Sequence, residues 1–122
     1  MAIKRILVID DEADIREVAQ ASLEIMAGFE VLLASSSGEG LTIATTQRPD
    51  AILLDVMLPD MDGITVFQKL QENPLTRHIP VVFLTAKTRP IDQQQFNQLG
   101  VNFITKPFKP RQLARQFLAA IG

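Results

Sequence analysis

Cysteine, tryptophan and tyrosine are all missing from this sequence of 122 residues. Without cysteine, the chain can form neither a disulfide framework nor a thiolate metal site. Long apolar runs are missing as well, because the run nearest the start, residues 6–9, ends after four residues at Asp10. Such a run is too short for a signal peptide or a membrane span, so we expect a cytoplasmic protein without a membrane partner.

Acidic residues are scarce in the last third of the chain. Residues 86–122 contain one acid, Asp92, and six bases, whereas residues 1–63 contain twelve acids and four bases. A basic stretch of this kind can mark a nucleic-acid-binding face, but here it lacks interleaved aromatic residues and a known base-reading motif. We therefore expect a solvated or protein-docking face with no direct nucleic-acid contact.

The length and composition indicate one globular domain over residues 1–122. Hydrophobic residues make up 47% of the chain and charged residues 21%, which is ordinary for a soluble domain with a real core. No repeat, low-complexity tract or linker interrupts the sequence.

Five short apolar runs alternate with five helical patterns. The runs predict buried strands within residues 4–9, 29–34, 51–54, 80–85 and 101–105. Apolar periodicity with capping and breaking residues predicts helices between residues 15 and 28, 36 and 48, 63 and 72, 91 and 99, and 110 and 121. Right-handed crossovers then give a parallel sheet covered on both faces. We predict a doubly wound, flavodoxin-like α/β fold with five helices and strand order 2-1-3-4-5.

Several helical apolar positions are expected to face the core. They are Val18 and Met26 in the first helix, Ile91 in the fourth helix and Leu118 in the fifth helix.

Chemically reactive side chains stand where the predicted strands end. The first strand ends at Asp10 and Asp11, the third at Asp55, the fourth at Thr85 and the fifth at Lys106. In the predicted strand order these strands are neighbours, so their ends converge on one edge of the sheet. Carboxylates about 4 Å apart repel by roughly 4 kcal/mol per pair at an effective dielectric near 20. Such crowding requires a cation, a shared proton or a raised pKa.

The alternative is that the acids splay into solvent and cap helices, which accounts for Glu12 and Asp14. It does not account for acids, a hydroxyl and an amine at the same edge. A hard divalent cation, Mg²⁺ or Mn²⁺, relieves the crowding, with Asp11 and Asp55 as direct ligands and Asp10 bonded to a coordinated water. Lys106 and Thr85 then suit an oxyanion that arrives at Asp55, which predicts Asp55 as a phosphoryl acceptor.

Four motifs resemble one known family over essentially the whole chain. They are Asp-Asp at 10–11, Asp-Val-Met-Leu-Pro-Asp-Met-Asp-Gly at 55–63, Leu-Thr-Ala at 84–86 and Lys-Pro-Phe at 106–108. Together, in this order and at these strand ends, they resemble the receiver domains of two-component response regulators. Within that family, the chain looks like a single-domain receiver of the chemotaxis-regulator type.

The resemblance implies a regulatory phosphorylation switch rather than an enzyme. A histidine kinase or phosphotransfer protein offers a phosphoryl group, and Asp55 accepts it in the presence of Mg²⁺. Asp11, Asp55 and the backbone carbonyl of Met57 look like the metal ligands. Thr85 and Lys106 look like the residues that sense the phosphoryl group.

The resemblance also implies how the signal leaves the site. In the family, the face built from the fourth helix, the fifth strand and the fifth helix changes on phosphorylation and meets a protein partner. Thr85 and an aromatic residue, often Tyr and here Phe103, look like the moving parts of that switch. The turn at Lys106-Pro107 is expected to contain a cis peptide bond.

Three rival functions fit the motifs less well. A phosphatase with an aspartyl nucleophile needs a second Asp two positions after Asp55, where Met57 stands. A flavin binder needs a phosphate loop after the first strand, where the three acids at 10–12 would repel a phosphate. A degenerate receiver that acts only as an interaction module should have lost its acids, threonine or lysine, and all of them are present.

Overall fold

A computed structural model describes residues 3–121 as strictly alternating strands and helices. The strands are β1 (Arg5–Ile9), β2 (Glu30–Ala34), β3 (Ala51–Asp55), β4 (Val81–Thr85) and β5 (Asn102–Thr105). The helices are α1 (Ala13–Ala27), α2 (Ser37–Gln47), α3 (Gly63–Glu72), α4 (Pro90–Leu99) and α5 (Pro110–Ile121). None of these helices is long and apolar enough to cross a membrane.

The five strands form one parallel sheet in the order β2-β1-β3-β4-β5, which confirms the predicted fold class. Every residue of the central strand β3 is buried. Burial on both faces explains why its sequence is apolar without interruption until Asp55. Because all strands run the same way, their carboxyl ends lie at one edge of the sheet.

Two apolar cores cover the two faces of the sheet, and alternate strand residues feed each of them. On one face, Leu7 and Ile9 of β1 pack with side chains from α2, α3 and α4. On the other face, Ile6 and Val8 pack with side chains from α1 and α5. This alternation of side chains is the ordinary consequence of the two-residue repeat of a strand.

The helix ends follow the capping signals in the sequence. Gly28 and Gly100 end α1 and α4 in the left-handed conformation, each with φ of 71°. Such an angle costs a glycine little, because it has no Cβ. Ser36 caps α2 by accepting a hydrogen bond from the amide of Glu39. The Glu39 carboxylate accepts from the amide of Ser35, one residue earlier than a capping box requires.

Four apolar side chains that were predicted to be buried are exposed instead. They are Val18, Met26, Ile91 and Leu118. Val18 and Leu118, at 37% and 40% exposure, lie at the border of the buried side of their helices, four residues from the buried Ser22 and Ala114. Ile91 lies five residues from the buried Phe96, which is about 140° around α4 and carries its side chain away from the sheet. Met26 lies in the last turn of α1.

Candidate functional site

The predicted site residues meet at the carboxyl edge of the sheet. Asp10 follows β1 directly, Asp55 and Thr85 are the last residues of β3 and β4, and Lys106 follows β5. The side chains of Asp10, Asp55 and Thr85 are buried, and that of Lys106 is largely so. The structure therefore brings together the acids, the hydroxyl and the amine as the strand order predicted.

Three carboxylates form the centre of this site. Asp10, Asp11 and Asp55 each offer one carboxylate oxygen, and these oxygens lie within 4.8 Å of one another. Asp11 is exposed, whereas the other two are buried. The cluster is thus open to solvent on the side of Asp11, and it could hold a metal ion there.

The ammonium group of Lys106 lies among three acids. Its Nζ atom is 2.9 Å from Asp10 Oδ2, 3.2 Å from Glu12 Oε1 and 3.4 Å from Asp55 Oδ2. Its peptide bond to Pro107 is cis, as expected. Asp10 Oδ2 is buried and accepts no hydrogen bond of normal geometry from the described residues, so its contact with Lys106 is an ion pair only.

One turn geometry recurs at three strand ends. Asp10 Oδ1 accepts from the amide of Glu12 at 2.9 Å, and Asp55 Oδ1 accepts from the amide of Met57 at 3.1 Å. Thr85 Oγ1 accepts from the amide of Lys87 at 2.8 Å. Each is a side-chain bond to the backbone two residues later, which short polar residues form readily. These bonds leave Oδ2 of both aspartates for other partners and the hydroxyl proton of Thr85 free to donate.

Burial and crowding change the acidity of the site. Burial, and after it the charge of Asp10, raises the pKa of Asp55 from 3.8 to about 6. Burial also raises the pKa of Asp10, although the Glu12 amide and Lys106 oppose the rise. Burial alone would lower the pKa of Lys106, but its contacts with Asp10 and Asp55 outweigh this effect and raise it. The sequence-based expectation of a raised pKa at crowded carboxylates agrees with these directions.

The loop between β3 and α3 is fixed where it returns to the strand and again near its middle. A Cβ atom on Gly63 would lie 2.4 Å from the Asp55 carbonyl oxygen, so only glycine fits where the loop returns to the strand. At the middle of the loop, Asp60 accepts hydrogen bonds from the amides of Ser37 and Gly38, at 3.1 and 3.2 Å. The buried Ser37 hydroxyl donates to the Met61 carbonyl at 2.5 Å. The loop that carries Met57 is therefore attached to the first turn of α2.

Phe103 lies on β5, apart from the acidic cluster. Its ring is half-buried and packs on Phe96 of α4 with ring centroids 5.3 Å apart. It also lines a cavity of about 660 Å³ between β5 and α5. This cavity and the α4–β5–α5 face share the same elements, so the predicted switch residue stands at the predicted partner face.

Two residues at the site were missed by the sequence interpretation. Glu12 was assigned to solvent or helix capping, but it makes no side-chain cap for α1 and hydrogen-bonds Lys106 instead. The run of three acids at the end of β1 was the available signal. Asp60 gave no signal, because its partners lie 22 and 23 residues away in sequence.

A parallel 2-1-3-4-5 sheet with carboxylates, a threonine and a lysine at its carboxyl edge defines an α/β domain suited to bind a cation and an oxyanion. Residues 6–117 match the family model described as the response regulator receiver domain. The chain belongs to this family, which is the receiver domain of two-component systems, and the acidic cluster is its phosphoacceptor pocket. Receiver domains bind a divalent metal and interact with histidine kinases and downstream partners.

Similar proteins agree with this assignment. The chain is 41% identical, over 97% of its length, to the phosphate regulon transcriptional regulatory protein PhoB of Pseudomonas aeruginosa. It is 43% identical, over 90% of its length, to the alkaline phosphatase synthesis transcriptional regulatory protein PhoP of Bacillus subtilis. It covers 52% and 45% of these two proteins, so it spans about half the length of the curated relatives.

The solved structures include the chemotaxis response regulator CheY4 of Vibrio cholerae, with a TM-score of 0.88 and 28% identity. That similarity covers 98% of this chain and 99% of the CheY4 chain.

Proposed function

We propose that Asp55 accepts a phosphoryl group from a histidine kinase or phosphotransfer protein, and that this event switches the α4–β5–α5 face for a protein partner. The observation that supports this proposal most strongly is the position of Asp55. It is buried at the end of the central strand, with its Oδ2 atom 3.4 Å from the Lys106 ammonium group and two further carboxylates beside it. A buried carboxylate with a free oxygen next to a fixed cation is suited to attack phosphorus.

The donor set fits Mg²⁺, or Mn²⁺ in its place. Three oxygen donors lie within 4.8 Å of one another, and the buried Asp10 Oδ2 has an unused acceptor position. Hard divalent cations of this size prefer carboxylate, carbonyl and water oxygens. Asp11, Asp55 and the backbone carbonyl of Met57 would hold the ion, and Asp10 would bind one of its waters. When bound, the ion neutralises negative charge on the incoming phosphoryl group.

The residues of the chain perform the remaining steps. The Asp55 carboxylate forms a P–O bond as the P–N bond to the donor imidazole breaks, and the imidazole nitrogen keeps the electron pair. The pKa of Asp55, about 6, leaves this carboxylate mainly ionised at neutral pH. Lys106 stays beside the reacting carboxylate and offers its charge to the transferred oxygens. In the unphosphorylated protein the Thr85 oxygen accepts from the Lys87 amide and its hydroxyl proton is free, so the hydroxyl can turn to donate to the same group.

The remaining assignments follow from the same placement. Residues 1–122 act as one regulatory receiver domain rather than as an enzyme with a separate substrate. We place the protein in the cytoplasm. Among the basic residues of the last third, Lys109 lies just before α5 and lines the same cavity as Phe103 at the predicted partner face. We assign this face to a protein partner, with no direct contact to nucleic acid or membrane.

Intact-mass measurement tests the acceptor assignment, since the chain has no tryptophan whose fluorescence could report binding. The protein is incubated with a small-molecule phosphodonor, with and without Mg²⁺. We expect one added phosphoryl group that depends on Mg²⁺ and disappears in Asp55→Asn. Asp62→Asn, a change of an exposed acid in the same loop, should still be labelled. Full labelling of Asp55→Asn, or labelling that does not depend on Mg²⁺, would contradict the proposal.

A further inference from the structure

A cavity lies at the amino-terminal edge of the sheet, opposite the acidic site. Its lining comes from residues just before three neighbouring strands, namely Ile3 before β1, residues 48–50 before β3 and residues 78–80 before β4. We call it the amino-edge cavity, and its volume is about 400 Å³. Each of these strands has five residues. At about 3.3 Å per residue, the cavity lies roughly 16 Å from the phosphoacceptor edge and is separate from it.

The floor of the amino-edge cavity is apolar. Pro49 and Ile79 are buried, and Ile3 is half-buried. The backbone offers a ligand few donors here, because Pro49 and Pro80 have no amide proton. The amides of Asp50 and Ile79 already donate to carbonyl groups within the fold, at 2.9 and 3.0 Å. Recognition of a polar ligand therefore depends on side chains at the rim.

Arg48 places a positive charge at this rim. It is the single non-glycine residue with a positive φ among residues 3–121, at 43°. Glycine adopts this left-handed conformation at a helix end with little cost, whereas arginine is strained in it. The Arg48 side chain is exposed and forms no ion pair within 4.0 Å in the same range of residues. Backbone strain of this kind is common at ligand-binding positions, and here it positions a guanidinium beside an apolar floor.

Asp50 places a negative charge at the same rim. Its Oδ2 atom accepts from the amides of Arg5 and Lys4, both at 2.9 Å, and these bonds lower the pKa of the carboxyl group. Within residues 3–121, its Oδ1 atom accepts no hydrogen bond, and no cationic side-chain atom lies within 4.0 Å of the carboxylate. The cavity thus combines a cation, an anion with an open oxygen and an apolar floor.

We propose that the amino-edge cavity binds a free α-amino acid with a branched apolar side chain. The α-carboxylate pairs with the Arg48 guanidinium, which can donate two parallel hydrogen bonds to it, and the His78 imidazole is a further donor. The α-ammonium group pairs with Asp50 Oδ1, and the apolar side chain packs on Ile3 and Ile79. A phosphate ion fits less well, because it needs more donors and the Asp50 carboxylate repels it.

This binding step goes beyond the proposed phosphoacceptor function and does not rest on it. Neither Asp55 nor a metal ion takes part, so amino-acid binding and phosphorylation can fail separately. The cavity lies near the lower end of the volumes of small-molecule sites, roughly 300–1,000 Å³. A small ligand held by two charged contacts should bind with a dissociation constant on the order of 1 mM.

NMR titration of the isotope-labelled 122-residue protein with leucine, up to about 20 mM, tests the proposal. We expect saturable shifts of the Asp50 and Ile79 amide resonances and none for Glu12 and Met57 at the opposite edge. Isocaproate lacks the ammonium group of leucine and isoamylamine lacks its carboxylate. Each should bind at least about tenfold more weakly, because one hydrogen-bonded charge pair is lost. The absence of saturable shifts with leucine, or equal binding of either analogue or of inorganic phosphate, overturns the proposal.

Arg48→Gly tests the carboxylate contact. It should weaken leucine binding at least about tenfold. The fold should be at least as stable as before, because glycine accepts the φ of 43° without strain. Arg77→Ala is the matched control, since Arg77 is exposed next to His78 in sequence but does not line the cavity. If Arg77→Ala weakens binding as much as Arg48→Gly does, the effect is one of net charge and the proposal is wrong.

Asp50→Asn tests the ammonium contact. Asparagine keeps an oxygen that accepts from the two amides and removes only the charge. Leucine should bind at least about tenfold more weakly to this variant. Isocaproate should bind equally or more tightly, because a carboxylate that repels it is gone. Equal losses for both ligands would show that Asp50 only maintains the shape of the cavity, which overturns the proposal. Circular dichroism of each variant verifies that the fold is retained.

Discussion

At the residue scale, the site depends on side chains that use only part of their hydrogen-bonding capacity within the fold. Asp10, Asp55 and Thr85 each use one oxygen to accept a backbone hydrogen bond two residues later. This hydrogen bond holds the side chain in one orientation. The other carboxylate oxygen, or the hydroxyl proton of Thr85, stays available to other partners. The two aspartates meet at Lys106, which is the single cation within 4.0 Å of both among residues 3–121.

The raised pKa of Asp55 makes the metal-free protein sensitive to pH. Its pKa rises from 3.8 to about 6 on folding, so the folded state binds the proton more tightly. This contribution to stability is fully present below about pH 4 and is lost as pH rises through about 6. Asp55→Asn removes the ionisation and should raise the free energy of unfolding at neutral pH by up to about 3 kcal/mol.

Urea unfolding in a chelating buffer at about pH 5 and about pH 7 measures this effect. The gain from Asp55→Asn should shrink at the lower pH, where the wild-type carboxyl is largely protonated. Asp62→Asn is the control, because asparagine caps a helix as well as aspartate does. An Asp55→Asn protein that is less stable than the wild type at both pH values would show that the ionised carboxylate is structural.

Lys106 and Glu12 should contribute very differently to stability. Lys106→Met leaves two buried carboxylates without their cation, which should cost about 3 kcal/mol at neutral pH without metal. Glu12→Gln removes a contact to an exposed carboxylate, and such contacts contribute at most about 1 kcal/mol. Urea unfolding in the same chelating buffer measures the loss of stability of each variant. Equal losses of stability for the two variants would show that the fold requires Glu12 as much as it requires Lys106.

At the scale of elements, α2 and the β3–α3 loop support each other. Asp60→Ala removes two hydrogen bonds at the first turn of α2 and should destabilise the protein by about 1 kcal/mol. It should also weaken Mg²⁺ binding, because the loop that it frees carries Met57. Asp62→Ala, which removes only the cap of α3, should cost similar stability and leave Mg²⁺ affinity nearly unchanged. Calorimetric titration with Mg²⁺ compares the two, and equal affinities would mean that Asp60 acts on stability alone.

The strands and helices themselves were predictable, because burial requires apolar residues at regular positions in the sequence. β3 is apolar at four positions in a row, and a strand buried on both faces requires this. The burial of individual helix residues was less predictable, because apolar periodicity does not tell which of the apolar residues face the sheet. In α4, Ile91 is exposed while Asp92 is buried and paired with Arg89 at 2.9 Å. No local pattern distinguishes such a turn from an ordinary amphipathic one.

The site was predictable for a related reason. Its residues stand at strand ends, and strand order alone brings strand ends together. Contacts that depend on the path of a loop, such as that of Asp60 with Ser37, lie beyond sequence reasoning. The same is true of Glu12, since only the placement of Lys106 after β5 gives its carboxylate a partner.

At the scale of the whole molecule, the two faces of the sheet are packed differently. The face covered by α2, α3 and α4 contains a continuous series of aromatic rings. Phe67, Phe83, Phe96 and Phe103 follow one another from α3 through β4 and α4 to β5, with ring centroids 5.2–5.9 Å apart. Phe83 precedes Thr85 by two residues on β4, so this series connects the site strand to the α4–β5–α5 face.

The last prediction concerns this series. A phosphoryl group on Asp55 should draw the Thr85 hydroxyl toward it and break the bond from the Lys87 amide. A space then opens next to β5, into which the half-buried ring of Phe103 can turn more deeply. Because Phe has no hydroxyl to hydrate, an outward ring forgoes roughly 1.5–3 kcal/mol of burial. The inward state should therefore already be well populated in the unphosphorylated protein.

NMR of the phenylalanine rings, with and without a phosphoryl mimic, measures this rearrangement. We expect the Phe103 resonances to shift modestly, while those of Phe117, fully buried on the opposite face, stay in place. Thr85→Ala should abolish the shift of Phe103, and Thr85→Ser should retain it, because serine keeps the hydroxyl and loses only the methyl group. A Phe103 environment that the mimic leaves unchanged, or a shift that survives Thr85→Ala, would mean that Phe103 is a core residue in both states and that the signal reaches the face by another path.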